Sequence, residues 1–190
     1  MSFHIRTCIA VAIVAAAISA HAETPAAPYA GQQTRSIKAL SDSDMTGLLS
    51  GSGAGFAKAA ELNGYPGPAH VLELAGSLQL NAEQELATRS LLTAHKARAQ
   101  SLGVELIAAE RELDQLFAQK QADPVAVDRA TQQVGLLQAR LRFEHLKTHL
   151  TQTGLLAPEQ VRRYAVLRGY ATDPGTASPA NPITPSTHHH

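Results

Sequence analysis

The chain has 190 residues, with 16 Lys and Arg balancing 16 Asp and Glu, one cysteine, no tryptophan and only 4% aromatic residues. That balance argues against nucleic acid or an anionic membrane surface as the main partner, and the lone Cys8 excludes an internal disulfide. Ala, Leu, Gln and Glu dominate the middle and β-branched runs at period two are missing, so the fold class is all-α.

Residues 1–22, MSFHIRTCIAVAIVAAAISAHA, carry one early Arg, an apolar stretch from Ile9 to Ala20 and small residues at Ala20 and Ala22. This is the pattern of a secretory signal peptide cleaved after Ala22. An uncleaved N-terminal anchor is the other option, although the stretch falls short of the roughly 20 residues a spanning helix needs. Cleavage removes Cys8, and with it any thiolate metal ligand; it also removes Arg6 but no acid. Residues 23–40 lack apolar periodicity and read as a flexible N-terminal segment, and 171–190 as a disordered Pro/Ser/Thr-rich tail. The tail ends in His188, His189 and His190, an inert terminus or a weak auxiliary chelator.

Residues 41–170 form the helical domain. SDSDMTGLL is a short helix capped by Ser41 or Asp42, and GFAKAAELN is a second one. The glycines of GSGAG at 51–55 follow no strand and precede no Lys-Ser/Thr, so they join helices and do not cradle phosphate. NGYPGP at 63–68 is a turn, followed by one helix through AHVLELAGSL. Two long helices come next, at about 82–119 and 124–152, with Pro124 opening the second, and a final helix starts at Pro158.

In the first long helix Thr88, Leu92, His95, Ala99, Leu102, Leu106, Ala109, Leu113 and Leu116 repeat at alternate spacings of four and three. That is a heptad seam about 42 Å long at 1.5 Å per residue, so the helix packs lengthwise on another. The second long helix is apolar on two sides. Val134, Leu137, Leu141 and His145 share one arc, while Leu136, Ala139, Phe143, Leu146 and Leu150 share a nearly opposite one. A single partner helix covers only one arc, so the other needs a flanking helix or a second subunit. Folding the two helices back on each other about residue 122 brings together residues whose numbers add to about 244. His95 then faces His149, and Ala99 faces His145.

This fold-back brings three imidazoles together. His145 and His149 lie four apart on one helical face, a spacing at which two imidazoles can bind one ion. The alternative is that both are ordinary helix residues, one packed and one solvated. The approach of His95, in a seam where Leu is the more stabilising choice, leaves both readings open. His70 and Glu73, three apart on the helix before the long pair, form a second candidate pair, whose alternative is an exposed helix face. Imidazole and carboxylate ligands without thiolate suit a divalent transition metal: zinc, nickel, cobalt or copper(II). An enzyme is not expected. The mature chain has no Cys and no GxSxG elbow, HVLEL is not HExxH, and Glu105, Glu110 and Glu112 read as the solvated side of a helix.

Two segments repeat a short pattern, Leu80-Asn81-Ala82-Glu83-Gln84 and Leu156-Ala157-Pro158-Glu159-Gln160. In each a helix start follows a Leu, and a Gln three residues on can cap free amides. On either side of a helical hairpin in an exported chain, the pair resembles the LTxxQ pattern of the Spy/CpxP family of periplasmic proteins, including its ZraP-like and CnrX-like metal-resistance members. The resemblance covers about residues 60–170, with Asn81 and Ala157 standing where Thr is usual. It implies a four-helix hooked bundle that dimerises in the periplasm, built on a long antiparallel hairpin with short flanking helices. It also implies heavy-metal resistance, by sensing or buffering, or an ATP-independent chaperone for unfolded clients. A membrane-bound signalling partner is implied with the sensing role.

Overall fold

The computed structural model of the chain describes residues 27–172, so residues 1–22, expected to be a signal peptide, and His188, His189 and His190 lie outside the described residues. The chain divides into two units, the first ending at Gln33, and a turn over 28–31 runs into the 3-10 helix Gln32–Thr34. The second unit begins at Thr34 and is all-α, with no strand among the described residues. Its helices are α1 (Asp42–Ser50), α2 (Lys58–Glu61), α3 (Pro68–Glu73), α4 (Ala75–Leu78), α5 (Ala82–Ala118), α6 (Pro124–Gly154) and α7 (Pro158–Leu167). None of them is long and apolar enough to cross a membrane.

The helix ends follow local chemistry. Ser41 caps α1 by accepting from Asp44 N, and its own N–H donates back to Asp44 Oδ2. Gly51 closes the same helix in the left-handed region that glycine enters without a side-chain clash, at φ 68°. Asp123 accepts from Val125 N and Ala126 N, with Pro124 in the first turn of α6. The single helix expected through 69–78 is split, because Leu74 leaves helical geometry and Gln79 turns left-handed at φ 53°. Two short helices therefore meet at a bend, α3 packing on the long pair and α4 on α7.

α5 and α6 pack along their lengths, numbers rising on one as they fall on the other. Thr88 meets Gln152, His95 meets Thr148, and Gln84 meets Leu155. The register is one to five residues short of the expected sum, so His95 faces Thr148 and His145 rather than His149. The seam residues of α5 are buried or half-buried, and Val134, Leu137, Leu141 and His145 are buried opposite them.

A second stripe of α5, which periodicity had left to solvent, is covered from the N-terminal side. Gly103 lies under Leu48 of α1 so closely that a Cβ there would stand 2.3 Å from the Leu48 carbonyl oxygen. Lys38 N donates to Asp114 Oδ1, and Ile37 is wholly buried in the same core. The ordered core therefore starts before residue 41, within the segment expected to be flexible: Ile37 and Leu40 pack into it, and Lys38 is tied to Asp114 through its backbone N–H and its ammonium. Glu110, between those contacts, is buried and not solvated, and burial raises its carboxyl pKa.

At the other end of the long pair the two glutamines do more than cap. Gln84 Oε1 accepts from Asn81 N, and Gln160 Oε1 from Ala157 N. Each also donates its amide to the other's oxygen, at 2.8 and 3.0 Å, so two helix starts 76 residues apart are tied directly. Val71, Leu78, Leu156 and Tyr164 make a small core beneath them.

Candidate metal centre

The polar end of the α5–α6 seam holds the first two candidates. His95 is buried, with Nδ1 3.0 Å from Thr148 Oγ1 and 3.7 Å from Glu144 Oε1. The Thr148 hydroxyl donates to Glu144 O at 2.8 Å, so it accepts from His95 Nδ1–H and leaves that ring's lone pair on Nε2. His145 packs edge-on to His95 with ring centroids 4.6 Å apart, and stacks on Phe56 at 5.7 Å. Its Nε2 is buried with no hydrogen-bond partner. Desolvation lowers both pKa values, that of His145 to about 4, with the neighbouring imidazoles lowering it further and Glu144 pulling His95 back up. Both rings are therefore neutral at pH 7, the state that can donate a lone pair.

His149 points away from that contact. Its Nδ1 donates to Tyr65 O at 2.7 Å, in the NGYPGP turn, and stands 3.6 Å from Glu61 Oε2 of α2. Glu61 is mostly buried: Oε1 accepts from the Tyr164 hydroxyl and lies 3.7 Å from Arg168 Nε, while Oε2 has no hydrogen-bond partner. Burial and that bond raise the Tyr164 pKa.

His70 and Glu73 do pair, Nδ1 to Oε2 at 2.9 Å, on the exposed side of α3. The hydrogen bond to His70 holds the Glu73 carboxyl below the usual carboxylate range. The sequence left His70 unplaced. The fold sets it on the wall of a cleft of about 340 Å³ that Glu61 and His149 also line.

The five candidates thus fall into two neighbouring groups: His95 with His145 in the seam, and His149 with His70, backed by Glu73, at the cleft. Among the described residues no three His, Cys, Asp or Glu side chains already stand as a metal-ligand group. Sequence reasoning missed Glu61, Glu144, Thr148 and Phe56. Thr148 was within reach, since it continues the arc of Leu141 and His145. Glu61 carried no local signal, because its partners come from α6 and α7. No protein-family model, curated protein or solved structure matches the chain.

Proposed function

We propose that this chain is a periplasmic metal-binding protein of the envelope-stress or heavy-metal resistance kind, exported by residues 1–22 and sensing or buffering a divalent transition metal. In this reading α5 and α6 are the arms of an antiparallel hairpin, the short helices complete a hooked four-helix bundle, and two copies form a homodimer. The observation that carries it is the burial of His95 and His145 in a seam that is Leu, Ala and Val farther along, with His149 one turn beyond His145 at the neighbouring cleft. A neutral imidazole with a buried unpaired nitrogen stabilises such a seam less than Leu does, so the residues fit a ligand-binding role better than a packing role.

Calorimetry with zinc, nickel, cobalt and copper(II) tests it. The wild type should bind at least one of them with release of protons, and more weakly as pH falls through about 6.5. Binding no tighter than that of a folded His145→Ala, His149→Ala double mutant sinks the metal reading.

A second reading, an ATP-independent chaperone for unfolded clients, is favoured by one observation. Leu136, Phe143 and Leu150, seven apart on α6, are 46%, 63% and 57% exposed. Phe143 also edges a groove between α5 and α6 with Leu91 and Leu102, rimmed by Arg98, Arg140 and Lys147. An apolar stripe of that kind suits a client or the second subunit. Suppression of a denatured client's aggregation with chelator present, lost in Phe143→Ser, separates this role from metal binding.

A further inference from the structure

We infer that the ion is held at the cleft between α2, α3 and α6, by Nε2 of His149, Nε2 of His70 and Oε2 of Glu61, and not at the His95–His145 contact. The inference rests on the metal-binding reading and names its ligands.

The tautomers come first. His149 Nδ1 lies 2.7 Å from a backbone carbonyl oxygen and His70 Nδ1 2.9 Å from a carboxylate oxygen, and both oxygens only accept. Each ring, when neutral, must therefore carry its hydrogen on Nδ1 and its lone pair on Nε2. An imidazole whose far nitrogen is fixed by a carbonyl or carboxylate is the arrangement that orients metal-bound histidines. The third donor is Glu61 Oε2, buried without a hydrogen-bond partner and 3.6 Å from His149 Nδ1, while Oε1 is held by Tyr164.

Space comes second. A Cβ on Gly67 would stand 2.8 Å from His149 Cε1, 3.0 Å from its Nε2 and 3.6 Å from Glu61 Oε2. The missing side chain therefore lets the His149 ring lie against the Gly67 backbone, with its Nε2 and Glu61 Oε2 both near that point, and His70, three residues on, lines the same cleft. The donors do not yet form a closed group, so His70, with a side chain 40% exposed, must swing inward as the ion binds. Two nitrogens and one carboxylate oxygen suit zinc, nickel, cobalt or copper(II), with the remaining positions left to water.

The His95–His145 contact offers less. A metal needs about 2.0–2.1 Å to each nitrogen, whereas these rings meet edge to face and His145 is stacked on Phe56. Binding there would require the core layer to part.

The test titrates each of the four metals into the full mature chain and into His70→Ala, Glu61→Gln, Gly67→Ala and His95→Leu. A parallel series carries alanine at positions 188, 189 and 190 to remove the tail histidines. His70→Ala and Glu61→Gln should each weaken binding at least tenfold. Gly67→Ala should do so as well, because its backbone, at φ −92°, accepts alanine while the added methyl displaces the His149 ring. His95→Leu should stay within about twofold, and circular dichroism checks that every variant is folded. Binding that survives in His70→Ala and Glu61→Gln but fails in His95→Leu overturns the cleft site and leaves the metal-binding reading standing. A wild type that binds none of the four metals overturns both.

Discussion

The two ends of the α5–α6 seam are built on different terms. Toward the turn, Leu102, Leu106 and Ala109 meet Val134, Leu137 and Leu141, a layer of buried aliphatic side chains with no polar atom to satisfy. Toward the other end the same heptad positions hold Thr88 and His95, facing His145, Thr148 and Gln152, all buried. Here Gln152 Nε2 donates to Thr88 at 3.2 Å, but Gln152 Oε1 and His145 Nε2 have no partner. The contrast separates what holds the helices together from what the chain can use: aliphatic burial supplies stability at one end, and the other gives some of it up for groups with chemistry.

Perturbing each end in turn should expose that division. The largest effect is expected in the aliphatic end. Leu137 is 1% exposed, and Leu137→Ala should cost about 2–5 kcal/mol through lost burial and the cavity left behind. Urea denaturation measures it; a loss below 1 kcal/mol would mean that the aliphatic layer is not what holds the pair.

The next effect belongs to the polar end and appears with pH. His145 titrates near 6.5 when unfolded but near 4 when folded, so between those values the unfolded chain takes up a proton that the native ring refuses. Its contribution to stability is present above pH 6.5 and is lost as pH falls toward 4, at up to about 1.4 kcal/mol per pH unit for one proton. His95, lowered in the same direction, adds to the loss. Unfolding of the metal-free protein at pH 7 and pH 5 should show this difference, and His145→Leu should reduce it. A slope unchanged in that variant would place the acid sensitivity elsewhere.

The smallest effect is expected from His95→Leu. Thr148 keeps its bond to Glu144 O when the imidazole goes, so no buried hydroxyl is stranded, and Leu adds apolar contact in the seam. The change in stability should stay within about 1 kcal/mol in either direction. A loss as large as that of Leu137→Ala would show that the polar layer carries as much of the fold as the aliphatic one.

The sequence by itself determined the class and the two long helices, while the helix it placed over 69–78 is split at Leu74. Heptad spacing marked the buried side of α5, the arc from Val134 to His145 marked that of α6, and Asn81, Pro124 and the two glutamines marked where helices start, because these signals act within a few residues. Only the tertiary structure decided which imidazoles meet. A shift of one to five residues in register exchanged His149 for Thr148 opposite His95, a change that heptad patterning alone does not encode. The approach of α2 and of the 63–68 turn to α6 set Glu61 and Tyr65 beside His149, and the bend at Leu74 left His70 on the same cleft. These contacts join residues about 80 positions apart. They depend on how short helices dock on the long pair, which no local pattern specifies.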